Sequence, residues 1–343
     1  MNSFMKKTKA WCLSLLCGSV LLAGAAGLTT EAQASSNLQM RSVLVYTGSN
    51  QPAYKTEDIV NLSKGADHFI IVTTKTTAAS ADVTDFANQA NKIVAANPQA
   101  KLWISTPSRN STSSASTYDA SITGFLDAVK KAIGQTNWDK HVKGIYINFE
   151  NIYLDGPDTG TKYTGANWTK TLQSNMNDNT VVKTMRSIKQ WAKSNGSLNV
   201  AWAPYVTPHN DQLKRLAYVI NENIADVVLL QPHYYFDGNK VPLLVVDKSI
   251  TNGYLSYTDG KPIIPANDSY IKLRSANIGV DMEIDGDASK SDRYNLYKEY
   301  ETTFRKHSNK PFTYYLGSAT QMNYKSYAGK QLWEHLVEFY TSL

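Results

Sequence analysis

The sequence predicts one (β/α)₈ barrel, the TIM-barrel fold, behind a short N-terminal export segment. Eight short runs rich in β-branched and aromatic residues recur along the chain, and segments with helical periodicity lie between them. The length of 343 residues suits one large domain. Strands that alternate with helices form parallel sheets, and eight such units in about 300 residues are typical of the closed barrel.

The predicted elements follow in chain order. The strands are 40–46, 68–73, 101–106, 142–150, 198–205, 226–235, 278–285 and 312–317. The clearest helical segments, with apolar residues three and four apart, are 82–96, 120–133, 181–194, 212–223, 292–307 and 327–340. The turn after the first strand lacks the G-x-G-x-x-G spacing of a dinucleotide-binding sheet, which favours the barrel over a doubly wound sheet.

Residues 1–34 are predicted to be a secretory signal peptide. Three lysines within the first nine residues precede an apolar stretch over 11–28, and Ala-Gln-Ala at 32–34 offers a cleavage site. The alternative is a transmembrane anchor, because the stretch is close to the lower length limit for spanning. Serines and glycines within the stretch disfavour that alternative. We therefore expect residues 35–343 to form a secreted or cell-surface-associated domain.

The composition and motifs of the chain argue against several classes of active site. Cys12 and Cys17 are the only cysteines and lie in the export segment, so the mature domain has no disulfide, thiolate metal site or cysteine nucleophile. No H-E-x-x-H or paired ligand spacing indicates a metal, and no G-x-S-x-G elbow indicates a serine hydrolase. The net charge of +6 is consistent with a protein that acts near an anionic cell envelope or polymer, and equally with a charge that only keeps the protein soluble. The sequence has no run of basic residues that would indicate nucleic-acid binding. We expect a monomer without cofactor or metal.

The fourth predicted strand reads GIYINFEN. Alternation places Tyr146, Asn148 and Glu150 on one face and three apolar residues on the other. Because the apolar face suits the surrounding helices, the polar face should point into the barrel. Glu150 would then lie at the C-terminal mouth, where such barrels keep catalytic residues. The alternative is a strand-end glutamate that only bonds a neighbouring loop.

The seventh predicted strand, GVDMEIDGD, places Asp281, Glu283 and Asp285 on one face. Three carboxylates on a buried strand are costly unless they are paired or functional, and a barrel strand has no bare outer face. We expect them to point into the mouth, with at least one raised pKa. Structural ion pairs with Arg274 or Arg293 are the alternative.

Two carboxyl groups are what glycoside hydrolysis requires: one protonates the leaving oxygen, and the other attacks the anomeric carbon or activates water. The catalytic candidates are Glu150, Glu283 and Asp285.

Other strand ends carry amide, imidazole and phenol groups, which suit hydrogen bonds to sugar hydroxyls and stacking on sugar rings. The sixth strand, LLQPHYYFDGN, is the richest, and the chain has 21 tyrosines against 9 phenylalanines. Although aromatic residues are more often core than ligand platforms, their clustering at strand ends favours binding. The substrate-binding candidates are Tyr46, Tyr146, Asn148, Trp202, Tyr205, Gln231, His233, Tyr235, Asp281 and Tyr315. Three long polar segments, 108–117, 151–180 and 236–277, are expected to be binding loops, or else tolerated insertions.

Several strings resemble a family of secreted bacterial barrels known only as a domain of unknown function. They are VLVYTG, WAPY, LLQPHYYF, GVDMEID and YYLGS, and the resemblance spans about residues 40–320. It implies a glycosidase-like barrel with Glu150 and Glu283 at matched positions, and His233 stands where that family has asparagine.

GIYINFE is also similar to the D-G-x-D-x-D-x-E strand of family eighteen chitinases. Lys143, Tyr146 and Asn148 replace the three aspartates and only Glu150 matches, so the acidic seventh strand favours chemistry with two carboxylates.

The leading hypothesis is a glycoside hydrolase that acts on an extracellular or cell-envelope polysaccharide. A non-catalytic carbohydrate-binding barrel is the second, and only the carboxylate pair separates the two. The third, a structural surface protein, leaves the acidic seventh strand unexplained.

Overall fold

The computed structural model describes residues 39–48, 51–74, 80–108, 115–152, 163, 167–207, 209–253, 255, 273 and 277–343. These belong to one compact unit, Ser35–Leu343. Within them, eight parallel strands pair in chain order. The strands are β1 (Ser42–Thr47), β2 (His68–Thr73), β3 (Lys101–Ser105), β4 (Val142–Ile147), β5 (Asn199–Trp202), β6 (Val227–Leu230), β7 (Ile278–Glu283) and β8 (Phe312–Tyr315).

The first and last strands meet, which closes the sheet. Arg41 forms a parallel bridge with Phe312, whose N–H donates to the Met40 carbonyl at 2.7 Å. The Ser42 hydroxyl donates to the Phe312 carbonyl at 2.9 Å. The predicted (β/α)₈ barrel is therefore confirmed.

Helices surround the barrel. They are α1 (Thr56–Leu62), α2 (Ser80–Ala96), α3 (Ala115–Ile133), α4 (Gln135–His141), α5 (Trp168–Asp178), α6 (Thr180–Ser194), α7 (Asn210–Asn221), α8 (Tyr234–Asp237), α9 (Lys240–Asn252), α10 (Ser291–Phe304) and α11 (Leu332–Thr341). Two 3₁₀ turns, Gly286–Ser289 and Gln321–Asn323, follow β7 and β8. No helix in the described ranges is long and apolar enough to cross a membrane.

All three segments predicted as long loops contain helical residues, since α3 begins at Ala115 within 108–117, and their role in binding stays a prediction. Helix α5 lies within 151–180 and α9 within 236–277. Asn239 caps α9 by accepting from the Val241 N–H, and Gly253 ends it in the left-handed conformation. Much of the remaining length, including 109–114, 153–162 and 256–272, lies outside the described residues.

The buried apolar residues form two clusters. The larger lies between the sheet and the helices, and the smaller fills the barrel lumen. Trp103 is fully buried in the lumen, and its indole lies against the backbone of Gly144. A Cβ at position 144 would lie 2.2 Å from that ring, which explains the glycine. The lumen cluster consists of Met40, Leu44, Ile70, Val72, Trp103, Tyr146, Ala201, Ala203, Val227 and Leu229.

Each end of the lumen opens into a cavity. The C-terminal ends of the strands surround one of about 340 Å³, called here the mouth cavity. The N-terminal ends of β2 to β5 border another of about 540 Å³, lined in part by His68, Trp103 and Asn199. The lumen cluster contributes Trp103 to the lower cavity and Leu44, Val72 and Tyr146 to the mouth cavity, and so lies between them.

Candidate active site

Most of the predicted site residues line the mouth cavity. The lining residues are Leu44, Tyr46, Val72, Tyr146, Asn148, Glu150, Gln231, His233, Phe236, Asp281, Glu283 and Tyr315. The cavity is thus apolar at its base, acidic on one side and aromatic at its rim. Phe236 is a member that the sequence analysis did not identify.

Strand β4 and the residues after it have the predicted orientation. Tyr146 belongs to the lumen cluster, whereas Ile147 and Phe149 pack toward the helices. The Asn148 side chain donates to the Thr73 carbonyl at 2.7 Å, which ties it to the end of β2. Glu150 is exposed at the rim of the mouth cavity. Its carbonyl accepts from the Tyr205 N–H at 3.1 Å, so its backbone is fixed while its carboxyl faces the cavity.

Strand β7 places two carboxyl groups inside the barrel. Asp281 and Glu283 are 2% and 4% exposed and both line the mouth cavity. His233 donates from Nδ1 to Oε1 of Glu283 at 3.0 Å. Oε2 of Glu283 and Oδ1 of Asp281 are buried and accept no hydrogen bond from the described residues. Each is therefore a buried acceptor without a partner among the described residues, on a side chain that lines the mouth cavity.

Burial sets the ionisation of these groups. It raises the pKa of Glu283, which the hydrogen bond and charge of His233 partly offset. Burial, together with the charges of Glu283 and Glu150, raises the pKa of Asp281 well above its ordinary value, which favours its neutral form. The hydrogen bond to Glu283 raises the pKa of His233. The prediction of at least one raised carboxyl pKa is confirmed.

The chain after β6 departs from the predicted alternation. Strand β6 ends at Leu230, and His233 adopts the left-handed conformation with φ = 56°. The helical turn α8 follows. In a helical turn, residues three positions apart lie on the same face, so the side chain of Phe236 lies on the same face as that of His233. Phe236 consequently lines the mouth cavity, whereas Tyr235 is fully buried and bonds Asp285. Tyr235, predicted to bind substrate, thus lies outside the mouth-cavity lining.

Aromatic rings form a continuous rim at the mouth cavity. His233 packs edge-on against Tyr205 at 5.3 Å between centroids and tilted against Phe236 at 4.8 Å. Phe236 contacts Tyr315 at 5.9 Å, and Tyr315 contacts Tyr46 at 5.8 Å. Tyr205 therefore belongs to the aromatic rim through its contact with His233, although Tyr205 itself does not line the mouth cavity.

Two further candidates lie away from the cavity. Trp202 packs on the helix side of β5, where its Nε1 donates to the Phe149 carbonyl at 2.7 Å. Asp285 caps the 3₁₀ turn Gly286–Ser289, and its Oδ1 accepts from the Tyr235 hydroxyl at 2.8 Å and the Asp287 N–H at 2.9 Å. Both side chains are therefore engaged outside the mouth cavity, and Trp202 borders a smaller pocket that Glu150 and Tyr205 also line.

Gln231 links the end of β6 to the chain after β5, next to the aromatic rim. Its side-chain amide donates to the Ala203 carbonyl at 3.0 Å, and its backbone bridges to Tyr205. In the ranges that the structure describes, no group of three or more histidine or acidic side chains could hold a metal ion.

Comparison with known proteins identifies the fold. No protein-family profile and no curated protein match the sequence. A psychrophilic glycoside hydrolase family 10 endo-β-1,4-xylanase is similar with a TM-score of 0.52 and 10% identity, over 87% of this chain and 96% of that one. A candidate α-L-fucosidase from Bacteroides thetaiotaomicron is similar with a TM-score of 0.50 and 13% identity, over 94% and 98%. At such low sequence identities, the structural similarity establishes only the barrel fold. The reaction has to be inferred from the residues of the candidate site.

Proposed function

We propose that this protein is a glycoside hydrolase that cleaves an extracellular or cell-envelope polysaccharide. The observation that carries the proposal is that Glu150 and Glu283, from two different strand ends, line one cavity at the C-terminal mouth of the barrel. The predicted export segment supports an extracellular site of action.

Glu283 has the properties of the group that reacts at the anomeric carbon. His233 fixes Oε1 and favours the carboxylate form through its hydrogen bond and charge. Oε2 accepts no hydrogen bond from the described residues. We assign to that oxygen the attack on the sugar carbon, or the removal of a proton from an attacking water.

Glu150 has the position of the general acid. It is exposed at the rim, where a leaving oligosaccharide can depart and where water can restore the proton after each turnover. As the glycosidic bond breaks, Glu150 gives its proton to the leaving oxygen, and Glu283 or the water that it activates takes the sugar. The rings of Phe236, Tyr315 and Tyr46 offer faces for stacking on the sugar.

Glu150→Gln tests this assignment, because the amide keeps shape and hydrogen bonds but cannot deliver the proton. We expect turnover to fall by about 10²–10⁴-fold, the usual contribution of a general acid, with saccharide affinity retained within a few-fold. The assay measures new reducing ends from a polysaccharide panel. Glu222→Gln, at an exposed position after α7, is the matched control.

Two outcomes would change the conclusion. Unchanged turnover in Glu150→Gln would remove Glu150 as the acid. A wild-type protein that binds a glycan tightly yet releases no reducing ends would be a carbohydrate-binding barrel instead.

A further inference from the structure

Two tyrosine rings are exposed on the loop that follows β8. Tyr324 and Tyr327 are 48% and 63% exposed. Among the described residues, the other large apolar side chains that are exposed are Val60 and Leu244, which lie on two different helices, α1 and α9. Single apolar residues are normal on a protein surface, whereas these two tyrosines concentrate aromatic surface in one loop.

The loop lies directly beyond the strand ends that form one wall of the mouth cavity. Glu283 and Tyr315 are paired at the ends of β7 and β8, and both line that cavity. Gly286 lies three residues after Glu283 and contacts the Tyr324 ring, since a Cβ at position 286 would be 2.8 Å from its Cδ2. Three residues of chain span at most about 11 Å. A saccharide chain that enters the mouth cavity can therefore also reach Tyr324.

Hydrogen bonds hold the exposed loop in a defined arrangement. The Tyr327 N–H donates to the carbonyl of Ala288, in the 3₁₀ turn after β7, at 2.7 Å. Lys325 and Gln331 form an antiparallel bridge across the loop. An aromatic side chain on a fixed backbone has only two torsions to lose on binding, so its contact area is gained at a low cost in entropy.

The 3₁₀ turn is also bonded to the aromatic rim. Asp285 caps the turn and accepts from the Tyr235 hydroxyl at 2.8 Å. Arg293, one of the two predicted counter-ions of the β7 carboxylates, instead donates to the carbonyls of Tyr235 and Phe236. Arg274, the other one, lies outside the described residues. A continuous set of contacts thus joins Phe236 in the mouth cavity to the turn that the exposed loop contacts.

We propose that Tyr324 and Tyr327 form a second aromatic subsite, which stacks on sugar units of the substrate beyond the unit held in the mouth cavity. The inference rests on the proposed function and specifies its substrate as a chain of several sugar units. Aromatic rings offer an apolar face to the C–H groups of a sugar, and the phenol hydroxyl can bond sugar hydroxyls. Two separate rings beside the mouth suit an extended saccharide better than a protein partner, which needs a large contiguous interface.

The test compares the binding of polymers with that of short sugars. Affinity electrophoresis in gels that contain xylan, glucomannan, mixed-linkage β-glucan or chitosan measures polymer binding, and ligand-observed NMR measures binding of the corresponding disaccharides. We expect Tyr324→Ala to weaken polymer binding about 3- to 10-fold, the effect of one stacked ring. The disaccharide dissociation constant should stay unchanged, because the lost ring lies outside the mouth cavity. Phe236→Ala should weaken the binding of both.

Three further variants separate the subsite from a loss of folding. Tyr327→Ala removes the more exposed ring and should likewise weaken only polymer binding. Tyr324→Phe keeps the ring against Gly286 and should retain most of the wild-type affinity. Val60→Ala, at an exposed apolar position on α1, is the matched control and should bind both ligands as the wild type does.

Unchanged polymer binding in both tyrosine-to-alanine variants would overturn the inference, and so would a wild-type protein that none of the four gels retards. A wild-type dimer that Tyr324→Ala converts to a monomer would assign the rings to a second copy of the chain instead. Cleavage of a polymer that is equally fast in Tyr324→Ala keeps the hydrolase and overturns the subsite. Polymer binding that depends on Tyr324, without cleavage of any polymer, keeps the subsite and overturns the hydrolase.

Discussion

His233 links three features of the mouth cavity. Its left-handed backbone ends the extended run after β6, its Nδ1 bonds Glu283, and its ring packs between Tyr205 and Phe236. Histidine is among the few residues besides glycine that are enriched in the left-handed region, and it is also able to carry a positive charge. The same residue therefore shapes the rim and controls the ionisation of the buried carboxyl.

His233→Asn should move the acid limb of the pH–rate profile to higher pH. Asparagine tolerates the left-handed backbone but cannot become cationic, so burial acts on Glu283 with less opposition and its pKa rises further. Because the proposed reaction needs Glu283 ionised, we expect activity to be lost at a higher pH than in the wild type as the pH falls. The measurement is kcat/KM against pH.

His209→Asn, at an exposed position before α7, is the control for that experiment. A profile that does not move in His233→Asn would mean that His233 holds the rim without influencing Glu283.

At the level of elements, the end of β6 shows how one backbone conformation changes which side chains reach the site. Extended alternation through 235 would have placed Tyr235 in the cavity. The left-handed His233 and the turn α8 place Phe236 there instead, while Tyr235 bonds Asp285. Neither glycine nor asparagine stands at 233, although Pro232 directly before it is a residue that disfavours a continuing strand.

Phe236→Ala should weaken saccharide binding roughly 3- to 10-fold, because a stacked aromatic ring contributes about 0.5–1.5 kcal/mol. Tyr235→Phe should leave binding unchanged and lower the free energy of unfolding by about 1 kcal/mol, through the lost bond to Asp285. Titration with an active saccharide and urea unfolding measure the two effects. Weaker binding in Tyr235→Phe, equal to that in Phe236→Ala, would contradict this account.

The predictable part of the fold follows from apolar periodicity. The eight strands and the longest helices bury regular apolar faces, which the sequence shows directly. Strand β5 shows the limit of that method. Both of its faces are apolar, so the pattern does not tell which one enters the lumen. Ala201 and Ala203 are the residues that enter the lumen, where they pack beside the bulky Trp103 and Tyr146. Trp202 packs against the helices instead.

The same reasoning applies to the candidate site. Glu150 and Glu283 were predictable because each lies in an alternating segment with a clearly apolar opposite face, and the alternation continues to Glu150 past the end of β4. Asp285 was not, since it lies beyond the end of β7, where the 3₁₀ turn takes its side chain as a cap. The contact between His233 and Glu283 joins neighbouring strands and depends on a backbone conformation that no sequence pattern marked.

At the scale of the whole molecule, a single barrel built without cysteine is proposed to act outside the cell. Both cysteines lie in residues 1–34, so Ser35–Leu343 is held together by non-covalent contacts without a disulfide. Such a domain can fold in an oxidising or a reducing compartment, because no disulfide has to form.

Expression of the full chain in a secreting bacterium should release a protein whose first residue is Ser35. N-terminal sequencing of the extracellular fraction measures this. Ala34→Phe should block cleavage, because signal peptidase sites need small residues. An uncleaved wild-type chain that remains in the membrane fraction would show that the segment is an anchor.

The filled lumen beneath the mouth cavity has a kinetic consequence. Trp103 and its neighbours close the path along the barrel axis toward the lower cavity, so a sugar bound against Asp281 and Glu283 must leave the way it came. Under the proposed function, a product that has not yet left occupies the position that the next substrate needs. We therefore expect competitive product inhibition, with turnover at high conversion governed by how fast the cleaved sugar departs.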